Sequence, residues 1–183
     1  MEFKKIQLNG FKSFAEKTNF LIEKGLTGIV GPNGCGKSNI VESLRWCMGE
    51  TSAKSMRGSG MEDVIFSGTS NKPSKNIAEV VLSLNNENKD GPHQYNDLDE
   101  IEIRRKIEKD KGSKFYINNK EVRAKDAQMF FADLSTGAHS PSLISQGRIG
   151  ALVTAKPSDR RAILEEAAGI AGLHVRRHEA EIR

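Results

Sequence analysis

The sequence is poor in cysteine and has no long apolar run. Among 183 residues there are two cysteines, Cys35 and Cys47, and no stretch of 18 consecutive apolar residues. Two cysteines cannot build a disulfide scaffold, so a reducing cytosol is the expected compartment. The first residues also lack the apolar stretch and small-residue cleavage site of a secretory signal. We therefore expect neither a membrane span nor export.

Charge of one sign is not in large excess either. Lysine and arginine total 28 against 24 aspartate and glutamate residues, which gives a formal net charge of +4. A balance this small permits contacts with phosphate groups but does not identify a partner. One basic cluster is typical of the solvated face of a hairpin and comprises Arg104, Arg105, Lys106, Lys109, Lys111 and Lys114.

Hydrophobic periodicity predicts an α/β fold with a mixed sheet, flanking helices and an antiparallel β subdomain. Residues 26–30 form a short apolar run that predicts a buried strand. The remaining predicted strands are residues 3–8, 18–23, 64–66, 78–84, 101–107, 114–117 and 121–123. Helices are predicted at 37–48 and 124–134. We expect one domain over residues 1–155, followed by a helical segment over 156–183.

A glycine-rich motif follows the predicted strand at 26–30. Residues 31–38 read GPNGCGKS and match the pattern GxxxxGK[ST], with an amphipathic helix directly after them. Glycines let backbone N–H groups turn toward phosphates, and the helix N-terminus favours an anion. Lys37 would place its charge on the β- and γ-phosphates, and Ser38 would offer its hydroxyl to Mg²⁺. The motif predicts a nucleoside-triphosphate site.

Further motifs flank this loop in a fixed order. They are GFKSF at 10–14, NIVESLRW at 39–46, MRG at 56–58, MEDVIFSG at 61–68 and ISQGRI at 144–149. Together they resemble the N-terminal half of the ATPase head of SMC (structural maintenance of chromosomes) proteins, along the whole chain. The resemblance implies an ABC-type P-loop head that uses ATP and Mg²⁺. It also implies that residues 156–183 begin a coiled-coil arm.

The resemblance assigns roles residue by residue. Arg57 matches the arginine finger that approaches the phosphates, and Gln146 matches the Q-loop glutamine that reaches Mg²⁺ and the attacking water. Ser38 is the second Mg²⁺ ligand. The ATP phosphate site that the resemblance implies comprises Pro32, Asn33, Gly34, Cys35, Gly36, Lys37, Ser38 and Asn39.

Two more pairs of residues are expected near the nucleotide. Lys12 and Ser13 lie in the turn that leans over the nucleotide in such heads, and Asp63 and Val64 lie near the expected adenine position. Taken without the resemblance, these four residues belong to an ordinary turn and an ordinary strand end.

Half of the catalytic apparatus of the family is absent from the sequence. No LSGG-like signature motif occurs, and no apolar strand ends in Asp-Glu. The resemblance therefore implies that hydrolysis requires the C-terminal half of the same head and a second SMC head. A kleisin-type subunit and double-stranded DNA, bound without sequence specificity, are the other implied partners. The basic cluster defined above is the alternative candidate for a DNA-backbone contact. The implied location is cytoplasmic and nucleoid-associated.

Other P-loop classes remain as alternatives. A head of the RecN or RecF-like DNA repair ATPases would share the P-loop and the Q-loop, but the segments at 10–14 and 62–68 favour SMC. A self-contained P-loop kinase or nucleotide switch would need an internal acidic strand for Mg²⁺, which the sequence lacks. A transporter-type ATPase would also share the P-loop, but the sequence offers no evidence of coupling to a permease.

Overall fold

One six-stranded antiparallel sheet organises the protein. The structure is a computed structural model, and it describes residues 1–134 with 143, 153–157, 160, 161 and 164. The spatial order of the strands is β2-β1-β3-β4-β5-β6. The strands are β1 (Glu2–Asn9), β2 (Thr18–Leu21), β3 (Ile77–Asn85), β4 (Glu100–Glu108), β5 (Gly112–Ile117) and β6 (Lys120–Val122).

Alternation of apolar and polar residues sets the register of the central strands. In β4 the side chains of Ile101, Ile103, Arg105 and Ile107 are buried, and the residues that alternate with them are partly exposed. Ile103 lies opposite Leu82 of β3, so the apolar sides of the two strands coincide. The last hairpin turns through Asn118 and Asn119, which both have positive φ as a two-residue type I′ turn requires.

Within residues 1–134, two helices and three short 3₁₀ turns complete the structure. Helix α1 (Lys37–Cys47) packs on β3 and β4, and helix α2 (Ala124–Asp133) packs on β5. Trp46 of α1 is fully buried in the core. The 3₁₀ turns are Lys54–Met56, Met61–Val64 and His93–Tyr95. None of the helices that the structure describes is long and apolar enough to cross a membrane.

The predicted α/β class is confirmed, and most elements fall within a few residues of their predicted bounds. Two predictions were wrong. Residues 26–30 form no strand and are not buried: Leu26 is 99% exposed and Val30 is 94% exposed. Residues 64–66 form the end of a 3₁₀ turn and one isolated bridge, between Phe11 and Ile65.

The sheet and the basic cluster also differ in detail from expectation. All five pairings among the described strands are antiparallel, so they include none of the parallel pairings of a mixed sheet. Arg105 was expected on a solvated face, but it is 3% exposed because it shares the inward face of β4 with the isoleucines. The predicted arm at 156–183 lies almost wholly outside the described residues.

Candidate phosphate-binding site

The glycine-rich loop lies exposed at the N-terminus of α1. Gly34 and Gly36 have φ of 81° and 98°, which is backbone that residues with a Cβ rarely adopt. Gly36 is the N-cap of α1, and no side chain caps the helix there. The first turn of α1 also carries no acidic residue. The N-terminus of α1 therefore has no capping side chain and no nearby acidic residue of its own, and an anion bound there would interact favourably with the backbone N–H groups and the positive end of the helix dipole.

Lys37 folds back over the loop. Its Nζ donates to the carbonyl oxygens of Gly31 and Pro32, the latter at 2.7 Å. It also lies 3.9 Å from the thiol sulfur of Cys35. A lysine at a helix N-terminus opposes the helix dipole, so the neutral carbonyls are weak partners for it. A phosphate group in the loop would offer this ammonium a stronger, charged acceptor.

The turn at residues 10–14 is anchored to the core and presents two polar side chains to α1. Phe11 is fully buried and packs on Trp46, with 5.4 Å between ring centroids. Gly10 has φ 63°, and a Cβ there would lie 2.2 Å from the carbonyl oxygen of Ile77. The turn can therefore lie against β3 only with glycine at this position. Lys12 follows Phe11 with φ 47°, an uncommon conformation for a non-glycine residue.

Ser13 of this turn touches the glycine-rich loop itself. Asn39, in the first turn of α1, donates through Nδ2 to Ser13 Oγ at 2.9 Å. A Cβ on Gly36 would lie 2.5 Å from the same hydroxyl oxygen. The turn at 10–14 therefore packs directly on the loop, and the absence of a side chain at Gly36 makes the approach possible.

Arg57 reaches the same helix from a third segment. Met56 is buried and anchors the preceding 3₁₀ turn, and Arg57 then adopts φ 55° as its C-cap. The guanidinium donates through Nη2 to Asn39 Oδ1 at 3.1 Å. Its Nε forms an ion pair with Glu42 Oε1. The Arg57 side chain is nevertheless 59% exposed, so part of its donor fork faces solvent.

Glu42 joins the two cationic side chains. Its other oxygen, Oε2, accepts from the Nζ of Lys12, and that ammonium also donates to the carbonyl oxygen of Met56. Only 10% of the Glu42 side chain is exposed. Sequence reasoning missed this residue, although a signal existed: Glu42 follows Ser38 by four residues and therefore lies on the same face of α1.

Asp63 and Val64 occupy different environments. Asp63 Oδ2 accepts from the backbone N–H groups of Gly60 and Ser59 and from the Ser59 hydroxyl. These donors, Gly60 first, lower the pKa of the Asp63 carboxyl. The Val64 side chain is 1% exposed in the core, and its carbonyl oxygen accepts from the N–H of Lys12 at 2.7 Å. Their predicted place beside an adenine stays a prediction.

The structure thus brings together most of the residues singled out from the sequence. The glycine-rich loop, the turn at 10–14 and Arg57 converge on the first two turns of α1. Gln146 lies outside the described residues, so its role as a Mg²⁺ ligand stays a prediction. Asn33 and Ser38 are exposed.

Comparison with known proteins identifies the family of the chain. Residues 2–147 match the family model described as the RecF/RecN/SMC N terminal domain. The chromosome partition protein Smc of Rhodopseudomonas palustris is 57% identical over the whole of this chain. That relative is much longer, and the chain spans 16% of its length. Smc relatives of this kind favour the SMC branch over RecN or RecF.

Solved structures show the same fold. A chain from work on ATP-driven dimerization and DNA-stimulated activation of SMC ATPases superposes with a TM-score of 0.80 at 33% identity, covering 91% of this chain and 99% of that one. An Smc head bound to the C-winged helix domain of ScpA gives 0.86 at 34% identity, covering 93% and 52%. On the family match, the identities and the shared fold, the chain belongs to the RecF/RecN/SMC N-terminal domain family, in its SMC branch.

Proposed function

We propose that this chain binds Mg·ATP as the N-terminal lobe of an SMC-type ATPase head. The observation that carries the proposal is the uncapped start of α1, with Lys37 held beside it by two loop carbonyls and the Cys35 thiol. Such a site suits a polyphosphate, because backbone donors, the helix dipole and a cation all favour the same anion. The positively charged side chains of Lys12 and Arg57 lie one to two helical turns away.

Each residue of the site has a definite task in this proposal. The backbone N–H groups of residues 33–38 bind the phosphates, and Lys37 leaves the carbonyls of Gly31 and Pro32 to bind the terminal phosphates. Ser38 and, by resemblance, Gln146 hold Mg²⁺. Bound Mg²⁺ supplies neutralisation of the phosphate charge. The exposed edge of Arg57 stabilises charge on the phosphates.

Hydrolysis is proposed to require the C-terminal half of the same head. The sequence contains neither a signature motif nor an acidic Walker B strand. An exposed apolar surface supports the idea of a missing neighbour: it consists of Leu21, Leu26, Ile29 and Val30, which are 45–99% exposed. Monomeric proteins seldom leave such a run uncovered. We propose that residues 26–30 become a buried strand when the C-terminal half packs on them.

The remaining partners are proposed from the relatives. A second SMC head would supply the signature motif across the bound nucleotide, and a kleisin such as the ScpA bound to the related head would complete the assembly. The assembly would act on double-stranded DNA in chromosome partition, in the cytoplasm. We also propose that residues 156–183 begin the coiled-coil arm. Lys106, Lys111 and Lys114, which line a shallow cavity of about 210 Å³ with Tyr116, are the candidate DNA contacts.

Nucleotide titration of the purified chain tests the central proposal. The chain should bind Mg·ATP, and Lys37→Ala should lose most of that binding, because the only lysine of the loop is removed. Lys24→Ala, at an exposed lysine outside the loop, is the matched control and should bind as the wild type does. ATP turnover by the isolated chain should stay at background. Turnover that Lys37→Ala abolishes would instead support a self-contained P-loop enzyme.

A second experiment tests the missing half. Val30→Asp should prevent co-purification of the chain with the C-terminal half of the head, because it places a charge on the surface to be buried. The melting temperature of the isolated chain should not change, since Val30 is 94% exposed there. Lys24→Asp, at an exposed position outside residues 26–30, is the control. Equal co-purification by both variants would contradict the proposed strand.

A further inference from the structure

A buried carboxylate that no phosphate-binding motif includes lies at the centre of the site. Glu42 is 8% exposed; one of its oxygens accepts a hydrogen bond from Lys12, and the other forms an ion pair with Arg57. Both cationic residues have positive φ, at 47° and 55°. Residues other than glycine adopt this backbone conformation only where the surrounding structure imposes it, and such residues concentrate at functional sites.

We propose that Glu42 is a positioning residue for nucleotide binding: it holds Arg57, and with it Lys12, against α1 so that their donors meet the phosphates. The proposal rests on the proposed binding of ATP at the loop. It assigns Glu42 no contact with nucleotide. Glu42 acts through the two cations, one helical turn beyond Ser38.

The pattern of contacts explains how one carboxylate can orient the arginine. Glu42 forms an ion pair at Nε of Arg57, and Asn39 accepts a hydrogen bond from Nη2. These two contacts hold the planar guanidinium against α1, while the side chain is 59% exposed, so part of its donor fork still faces solvent. Asn39 is in turn bonded to Ser13, which packs on Gly36. The orientation of Arg57 is thus tied to the glycine-rich loop through side chains of α1.

Glu42 could instead compete with the nucleotide for Arg57. A carboxylate that merely sequesters Arg57 would oppose nucleotide binding, and its removal would strengthen that binding. The geometry favours positioning, because Glu42 engages Nε and leaves the outer edge of the guanidinium exposed. The direction of the change in ATP affinity therefore separates the two roles.

A double-mutant cycle on the purified chain measures the effect. Glu42→Gln keeps the shape of the side chain and removes its charge, and it should weaken Mg·ATP binding about tenfold, as expected for coupled residues in one network. In an Arg57→Ala background the same change should cost about threefold or less, because its main target is gone. Glu79→Gln on β3, which breaks an ion pair with Arg104 of β4, is the matched control and should leave binding unchanged.

Nuclear magnetic resonance of the arginine Nε–H groups without nucleotide provides a second readout. The Arg57 signal, assigned by its loss in Arg57→Lys, should be protected from exchange in the wild type and lost in Glu42→Gln. Protection that persists in Glu42→Gln would overturn the proposal. So would tighter or unchanged ATP binding by that variant, or an equal loss in both backgrounds. Absence of ATP binding by the wild type would instead refute the proposed function, and the inference with it.

Discussion

Removal of the buried guanidinium of Arg105 should destabilise the whole lobe. Arg105 Nη1 donates to the carbonyl oxygens of Trp46 and Glu50, at 2.6 and 2.7 Å, and these lie at the C-terminal end of α1 and just beyond it. Its Nε donates to Ser113 Oγ at 2.8 Å. The guanidinium also stacks on Trp46 and Phe115, 4.5 and 4.6 Å from the ring centroids. One side chain on β4 thus fastens the phosphate-loop helix to the sheet.

The cost of Arg105→Ala follows from these contacts. Each lost hydrogen bond from the charged guanidinium to a buried carbonyl costs about 1.5–3 kcal/mol, and a lost cation–π contact costs about 0.5–2 kcal/mol. Part of this cost is recovered, because burying the charge is itself unfavourable and burial lowers the pKa of Arg105 to about 10. We expect the free energy of unfolding to fall by about 3–5 kcal/mol. That is a large part of the roughly 5–15 kcal/mol of an ordinary domain.

Equilibrium unfolding in urea measures this loss. Trp46 is the only tryptophan of the sequence and lies beside Arg105, so circular dichroism should accompany its fluorescence as an independent probe. Lys106→Ala, at the next position on the opposite face of β4, is the control and should change stability by about 0.5 kcal/mol or less. Arg105→Lys should lie between the two, because an ammonium lacks the planar fork. A loss below about 1 kcal/mol for Arg105→Ala would refute the assigned role.

Thiol reactivity, a glycine substitution and pH test other parts of the lobe. At pH 8 the exposed thiol of Cys35 should react rapidly with a thiol reagent, and Mg·ATP should slow that reaction. Cys47 should stay unmodified, because burial raises the pKa of its thiol to about 12. Rapid reaction of both thiols would contradict this prediction. In a nucleotide titration, Gly36→Ala should bind ATP at least about tenfold more weakly than the wild type, since φ at Gly36 is +98° and the added Cβ would lie 2.5 Å from the Ser13 hydroxyl oxygen. Gly28→Ala, where an added Cβ meets nothing within 4 Å, should bind ATP as the wild type does. Hydrogen bonds to its carboxylate lower the pKa of Asp63 in the folded protein. The stability that these bonds give the fold is therefore present above the pKa of Asp63 in the unfolded chain and is lost as the pH falls through its pKa in the folded protein. The difference in melting temperature between wild type and Asp63→Asn should therefore shrink as the pH drops from 7 to below about 4, and a constant difference would contradict the assigned hydrogen bonds.

Local patterns in the sequence were sufficient for the elements that depend on local physics. The amphipathic strand β4, helix α1 and the hairpin at Asn118 and Asn119 were predicted close to their observed bounds. Period and turn chemistry act between residues near in sequence, so they can be read without knowing the fold. The glycine-rich loop was found for the same reason, because its eight residues are consecutive.

The burial and the contacts of individual side chains could not be predicted in the same way. The run at residues 26–30 looked like a buried strand, yet Leu26 and Val30 are exposed, because burial depends on a neighbour that the described chain does not supply. Arg105 looked like one of several surface cations, and only the inward face of β4 distinguishes it from Lys106. Glu42 lies within the motif at 39–46, but nothing in that motif indicates that its carboxylate meets Lys12 and Arg57.

The sequence by itself thus determined the phosphate loop, the strand and helix pattern and the family. Only the tertiary structure decided which charged groups meet. Lys12, Glu42 and Arg57 are separated by 30 and 15 positions, and they come together because Phe11, α1 and Met56 pack on one core. Such contacts arise from the packing of distant segments, and no local period or spacing encodes them.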